Sequence, residues 1–139
     1  MSLSSEIKAQ LNQYLVNLKT SIVIDAFIDE SEASANMSEL LAELTEMTEK
    51  ISLNIHKDTD ERTPSFKINK PNESTGIQFA GIPLGHEFSS LVLAILQVGG
   101  HPLKISEDLI GQIKNIEGNF VFETFISLSC HNCPDVVQA

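Results

Sequence analysis

The sequence predicts an α/β fold in which a mixed four-stranded sheet is flanked by helices. Three observations lead to this prediction. Helical and β-branched apolar patterns alternate in the order helix, strand, helix, strand. Two short alternating runs on either side of a turn rich in Pro, Asn and Gly then predict a β-hairpin, and a long apolar helix follows. Because a strand–helix–strand unit is parallel and a hairpin is antiparallel, the sheet should contain both kinds of pairing.

Length and composition fit a soluble domain rather than a membrane or nucleic-acid-binding protein. The chain has 139 residues, of which 42% are hydrophobic and 20% are charged, and such values are typical of a folded domain. No apolar run reaches the about 20 residues that span a bilayer. The formal net charge of -10 opposes binding to nucleic-acid phosphates. We therefore expect a cytoplasmic protein that binds neither membrane nor nucleic acid.

The first helix, the first strand and the second helix are each predicted from a separate pattern. Residues 7–18 have an amphipathic helical pattern, which Ser4 or Ser5 can cap. Residues 21–28 form a continuous β-branched run, which predicts a central strand buried on both faces. Residues 37–47 place leucines and methionines on one helical face and glutamates on the other. We expect these glutamates to face solvent rather than to bind a metal.

The second strand, the hairpin and the third helix complete this unit. Residues 50–56 alternate between apolar and polar side chains, which predicts a strand whose wet face carries His56. Thr63 to Ile68 and Ile77 to Gly81 are the predicted hairpin strands. Residues 87–98 form the long apolar helix, which a Gly-Gly-His-Pro stretch ends.

This order of elements resembles the thioredoxin fold. The supporting residues are Pro64, which precedes the third strand, and Gly81, which closes the fourth. Because that proline is cis in thioredoxin-like proteins, the resemblance implies a cis Thr63–Pro64 bond. The loop after the first strand, which holds the dithiol in this fold, is Asp29-Glu30-Ser31-Glu32 and has no cysteine. The first unit, residues 1–102, therefore cannot perform thiol chemistry.

After residue 102 the order of elements starts again. Ser106 can cap a helix with an apolar stripe over residues 109–116, and Phe120 to Leu128 predicts a second buried strand. The sequence stops soon afterwards, so residues 103–139 contain only the start of a second thioredoxin-like unit. A strand without its neighbours tends to pair elsewhere. We therefore expect self-association as a homodimer, including a swapped dimer.

Cys130 and Cys133 are the only cysteines, and they form a Cys-x-x-Cys motif where the predicted strand Phe120 to Leu128 should turn into a helix. This spacing brings both sulfurs onto a first helical turn, where backbone N–H groups stabilise a thiolate. Cys130 should be the attacking sulfur because it lies nearer the positive end of the helix dipole, and Cys133 should resolve the mixed disulfide. His131, if protonated, would favour the thiolate further; if neutral, it would shape the docking surface.

Two other functions stay open beside thiol–disulfide exchange. A zinc or iron–sulfur site needs more ligands, and the four histidines supply no second pair at ligand spacing, so we expect no metal. Alternatively, the cysteine-free first unit could make the chain a non-catalytic docking module that presents the second unit to its partners.

Four stretches closely resemble the N-terminal region of the F subunit of alkyl hydroperoxide reductase: Phe79 to Phe88, Leu91 to Ala94, Gly99 to Pro102 and, above all, Glu123 to Ala139. The resemblance covers essentially the whole chain. It implies a thiol–disulfide electron relay in an NADH-dependent, FAD-containing peroxiredoxin reductase that serves hydroperoxide detoxification. It also implies that the chain is a fragment with weak or no activity alone.

The same resemblance implies cofactors and partners for the full-length protein. Electrons would pass from NADH through FAD and a second dithiol to Cys130 and Cys133, and then to the disulfide of a peroxiredoxin, which is the C subunit of alkyl hydroperoxide reductase. The other partner would be the flavoprotein domain of the same full-length chain. No Gly-x-Gly-x-x-Gly follows a strand in this sequence, so nothing here should bind either cofactor.

Glu87 is a further candidate that the resemblance implies. If the Gly85-His86-Glu87 segment folds back beside Cys130, the charged carboxylate would raise the pKa of the thiol and could accept its proton. Alternatively, Glu87 only favours a helix N-terminus. Glu123 lies within the predicted strand Phe120 to Leu128, and we expect it to face solvent.

Overall fold

The structure, a computed structural model, describes residues 3–139. The strands are β1 (Ile22–Phe27), β2 (Ile51–His56), β3 (Ser65–Asn69) and β4 (Gln78–Ala80). The helices are α1 (Ser5–Leu15), α2 (Glu32–Met47), α3 (Phe88–Val98), α4 (Glu107–Lys114) and α5 (Cys133–Gln138), and a 3-10 turn, Gly85–Glu87, precedes α3. Within this range no helix is both long and apolar enough to cross a membrane.

The four strands form one mixed sheet in the order β2-β1-β3-β4. β1 is parallel to β2 and antiparallel to β3, and β3 is antiparallel to β4. Ile24 of β1 lies opposite Leu53 of β2 and Ile68 of β3. The predicted thioredoxin-like fold is confirmed, with β1 in the centre and a β3–β4 hairpin. The Thr63–Pro64 bond is cis, as the resemblance implied.

Serine side chains begin three of the helices in the same way. The hydroxyl oxygen of Ser4 accepts the N–H of Ile7 at 3.3 Å, which settles the choice between the two candidate caps of α1. Ser31 caps α2 and Ser106 caps α4 by the same contact, each to the residue three positions further on. Each cap satisfies an N–H group that has no partner within its own helix.

One face of the sheet packs against α1, α2 and α3 and forms the core. Ile22, Ile24 and Ala26 of β1 are completely buried there. Residues 23, 25 and 27, on the other face of β1, are only half-buried, so the prediction that both faces are buried is wrong. The connection between β2 and β3, residues 57–64, contains no helix that could cover this second face.

The second face of the sheet is polar and hydrogen-bonded. The carboxylate of Asp25 lies 3.0 Å from His56 Nε2, and it accepts amide N–H groups from Asn54 and Asn69. Partial burial acts to raise the pKa of Asp25, but the bonds from His56, Asn69 and Asn54 outweigh it and lower the pKa. His56 is exposed on this face, as predicted.

The segment after α4 lies on the surface of the first unit and has no regular secondary structure before α5. The prediction that Phe120–Leu128 is a buried strand is wrong: it pairs with no strand among the residues described, and Val121, Phe122 and Phe125 are 91%, 88% and 85% exposed. A strand becomes buried only when neighbouring strands and helices cover it. Glu123 is half-exposed, as expected, and forms an ion pair with Arg62 of the first unit.

Candidate active site

Cys130 and Cys133 are joined by a disulfide at the start of α5, with their Cα atoms 5.5 Å apart. Cys133 is the first residue of the helix, whereas Cys130 lies in the turn before it. Only one of the two cysteines is therefore helical, although both were expected on the first turn. The sulfur of Cys130 still meets the helix start, since it accepts the backbone N–H of Cys133 at 3.2 Å. Pro134 sits in the first turn, where its missing N–H removes no helical bond.

The 3-10 turn of the first unit lies directly against the segment that carries the dithiol. The backbone N–H of His86 donates to the carbonyl oxygen of Leu128 at 3.1 Å. The rings of His86 and His131 are in contact, with their centroids 4.3 Å apart. Gly85 has φ +59°, and a Cβ atom there would lie 2.9 Å from the Leu128 oxygen. Only glycine allows both this backbone conformation and this close approach.

Glu87 is completely buried at the end of this turn. Its Oε2 accepts the hydroxyl of Ser90 at 2.7 Å, whereas its Oε1 has no hydrogen-bond partner among the residues described. Glu87 occupies the N-cap position of α3 but forms no side-chain cap bond. A buried polar atom without a partner costs free energy. The carboxylate therefore has a free acceptor oxygen that helix capping does not account for.

The far end of α5 is attached to α3 by Gln138. Its side-chain amide donates to the hydroxyl oxygens of Ser89 at 3.0 Å and Ser90 at 3.1 Å. Sequence reasoning missed all three residues because Gln138 lies 49 and 48 positions from its partners and no local pattern links them. The C-terminal end of α5 is therefore attached to the first turn of α3, which directly follows Glu87.

In the first unit, the position that holds a dithiol in the thioredoxin fold is occupied by Asp29. Its Oδ1 accepts the backbone N–H of Ser31 at 2.9 Å and the hydroxyl of Ser34 at 2.7 Å. Its Oδ2 accepts the hydroxyl of Thr63 at 2.8 Å, next to the cis bond to Pro64. These bonds, led by the Ser31 hydroxyl, hold the pKa of Asp29 far below its usual range. Hydrogen bonds of the Asp29 carboxylate, and not a disulfide, therefore link the residues at this position.

The lowered pKa of Asp29 makes the fold less stable in acid. A carboxyl with a lower pKa in the folded state contributes stability above its unfolded pKa, about 4, and loses that contribution as the pH falls below it. We expect the free energy of unfolding to decrease between about pH 5 and pH 3. Asp29→Asn should flatten that decrease because the amide does not titrate. Urea unfolding at several pH values measures it, and parallel curves for the two proteins would contradict the role of Asp29.

The sequence was compared with curated proteins and with models of protein families, and no family model matches. The F subunit of alkyl hydroperoxide reductase from Xanthomonas campestris pv. phaseoli is 52% identical over 137 residues, which are 99% of this chain and 26% of that protein. A Bacillus subtilis (strain 168) protein named NADH dehydrogenase is 52% identical over the whole chain and 27% of its own length. This chain thus spans about a quarter of the length of these curated relatives.

The decisive likeness is to a solved structure of which this chain covers more than two thirds. The NTD_N/C domain of alkylhydroperoxide reductase AhpF from Enterococcus faecalis (V583) matches with a TM-score of 0.83 and 30% identity, over 99% of this chain and 72% of that one. The chain belongs to the AhpF family, the F subunits of alkyl hydroperoxide reductase. A protein disulfide oxidoreductase from Aeropyrum pernix has a TM-score of 0.85 at 21% identity, over 99% of this chain and 66% of that one, and supports the fold alone.

This region of an AhpF protein does not fit a dinucleotide or a metal. The turn between β1 and α2 holds Asp29 and Glu30 in place of a Gly-rich phosphate loop, and their charges would repel a pyrophosphate. Within residues 3–139, no group of three or more His, Cys, Asp or Glu side chains is arranged to hold a metal ion.

Proposed function

We propose that this chain is a thiol–disulfide electron relay for hydroperoxide detoxification. It would receive reducing equivalents from an NADH- and FAD-dependent disulfide reductase module of a longer protein and pass them to the disulfide of a peroxiredoxin, the C subunit of alkyl hydroperoxide reductase. The observation that carries the proposal is the Cys130–Cys133 disulfide at the start of a helix, in a chain of the AhpF family. Both cysteines are partly exposed, which favours access by a partner's sulfur.

The relay needs only the two sulfurs of this chain and one disulfide of the partner. The Cys130 thiolate attacks a partner sulfur, which forms a mixed disulfide and releases the partner's other cysteine as a thiolate. Cys133 then loses its proton and attacks Cys130, which restores the Cys130–Cys133 bond and releases the second partner sulfur. Two electrons have then passed from the dithiol to the partner's disulfide, and the two thiolates released on the partner take up protons from solvent.

Two neighbouring side chains are proposed to assist these steps. The free Oε1 of Glu87 would accept a thiol proton, since the turn that holds Glu87 packs against α5, which begins with Cys133. His131 directly follows Cys130 and its ring contacts that of His86. When protonated, His131 would stabilise the Cys130 thiolate by its charge.

A redox titration tests the relay against the two alternatives. After equilibration of the chain in thiol–disulfide buffers, we expect a two-electron potential of about -270 to -200 mV for Cys130 and Cys133, the range of known relay dithiols. The docking alternative is favoured by one observation, that Asp29 fills the dithiol position of the first unit. A pair that does not cycle in this range would support docking, and metal retained after purification would support a metal site.

Self-association is the second proposal for this chain. Phe120–Leu128 exposes a run of apolar side chains, and exposed patches of this kind favour contact with another copy. We expect light scattering to show a dimer at high protein concentration. Phe122→Asp and Phe125→Asp should weaken it by at least about tenfold each, because a charge would be buried in the interface. A monomer at all concentrations would contradict the proposal.

A further inference from the structure

The buried carboxylate of Glu87, on the turn that packs against α5, is held by a chain of hydrogen bonds that begins on α5. The amide nitrogen of Gln138 donates to Ser90 at 3.1 Å, and the hydroxyl of Ser90 donates to Oε2 of Glu87 at 2.7 Å. A serine hydroxyl has one proton to give. Since Ser90 donates that proton to Glu87, its oxygen can only accept the N–H of the Gln138 amide. The chain therefore runs in one direction, from Gln138 through Ser90 to Glu87.

This direction decides which oxygen of Glu87 is available for chemistry. Oε2 already accepts the proton of Ser90, whereas Oε1 is buried and has no hydrogen-bond partner within residues 3–139. A proton that reaches the carboxylate is therefore best placed on Oε1. Without the Ser90 hydroxyl, the carboxylate would have no contact that distinguishes its two oxygens, and it could rotate.

We propose that Ser90 is a positioning residue for the thiol–disulfide reaction: it holds Glu87 so that Oε1 takes the proton of Cys133. Gln138 in turn holds Ser90. The S–H bond of Cys133 breaks, its proton moves to Oε1, and the thiolate attacks the Cys130 sulfur of the mixed disulfide. The Cys130–Cys133 bond forms and the partner's sulfur leaves as a thiolate, with the electron pair of the bond that breaks. This inference rests on the relay proposed above.

A two-step thiol reaction separates attack from resolution. The probe is dithiobis(nitrobenzoate), a small aromatic disulfide that releases one coloured thiol when Cys130 attacks it and a second when Cys133 resolves the adduct. The rates of both releases are measured with the reduced chain between about pH 6 and pH 8, below the usual pKa of a thiol. The other titratable groups on the elements packed around Glu87 are His86 on the turn, His131 beside it and Asp135 on α5. They are unchanged in all variants.

We expect Ser90→Ala to slow the second release about tenfold, as when general base assistance is partly lost. Its rate should then rise more steeply with pH, because the thiol must ionise into solvent before it attacks. The first release should be unchanged. Ser90→Thr keeps a hydroxyl and should restore the second release. Ser89→Ala is the matched control, since Ser89 also binds Gln138 but has no bond to Glu87.

Gln138→Ala tests the same chain from the exposed end of α5, without a change in the core, and should slow the second release several-fold. An unchanged second release in folded Ser90→Ala and in Gln138→Ala would overturn the inference. An equal slowing in Ser89→Ala would overturn it as well, because the effect would then come from docking of α5. If the wild-type chain shows no second release, the relay itself fails, and the inference fails with it.

Discussion

Cys133→Ser is expected to stop turnover and to trap a mixed disulfide between Cys130 and the partner's cysteine. The first attack needs only the Cys130 thiolate, but a serine hydroxyl cannot resolve the adduct at a useful rate. We expect exchange to fall by at least about a thousandfold. Cys130→Ser should lose exchange to the same extent without forming the adduct. Mass spectrometry under non-reducing conditions, after the reduced chain is mixed with oxidised peroxiredoxin, distinguishes the two variants.

The control for this experiment is Ser129→Ala, which changes an exposed hydroxyl next to Cys130 and leaves both sulfurs in place. It should retain exchange and form no lasting adduct. If Cys133→Ser and Cys130→Ser trapped the partner equally, the assignment of the attacking and resolving sulfurs would be wrong. If neither variant lost exchange, the dithiol would not be the site of the reaction.

Gly85→Ala is expected to separate the dithiol segment from the first unit. A non-glycine residue at φ +59° costs about 1–2 kcal/mol, and the added Cβ would meet the Leu128 oxygen at 2.9 Å. The segment must move to relieve this contact, which should break the bond from His86 to Leu128. We expect lower stability in urea unfolding. We also expect about tenfold slower reduction of a small disulfide, because the turn that holds Glu87 would no longer pack against α5.

Gly76→Ala is the matched control for backbone strain. Gly76 also has a positive φ, +78°, but a Cβ atom there would have no atom within 4 Å. This variant should lose a similar amount of stability from strain and keep the exchange rate of the wild type. Equal exchange rates in Gly85→Ala and Gly76→Ala would show that the contact between the turn and Leu128 has no role in the reaction.

Local patterns were sufficient to predict the elements of the first unit. The run at residues 21–28 became β1, Ile22–Phe27, and the apolar stretch at 87–98 became α3, Phe88–Val98. The motif of Cys130 and Cys133 was likewise predicted as a redox pair, because a turn into a helix brings two cysteines at this spacing close enough to form a disulfide. Such properties depend on residues that are close in sequence.

Burial was predicted less well because it depends on what else covers a residue. Phe120–Leu128 has the composition of a buried strand but is exposed, since no strand pairs with it in the part of the chain described. β1 begins with three β-branched residues, yet one of its faces is covered by helices and the other carries the Asp25 network. In both cases the apolar pattern was read correctly, but a pattern along the chain does not show which other strands and helices cover a residue.

The order of the elements in the first unit, the Cys130–Cys133 motif and the absence of cysteine from the first unit could all be read from the sequence. The contacts of Gly85 and His86 with Leu128, and the link from Gln138 through Ser90 to Glu87, became visible only in the folded chain. These contacts join residues that lie more than forty positions apart, apart from the step from Ser90 to Glu87. Helical and strand periods describe neighbours along the chain, whereas the packing of α5 against the first unit depends on how the whole chain folds.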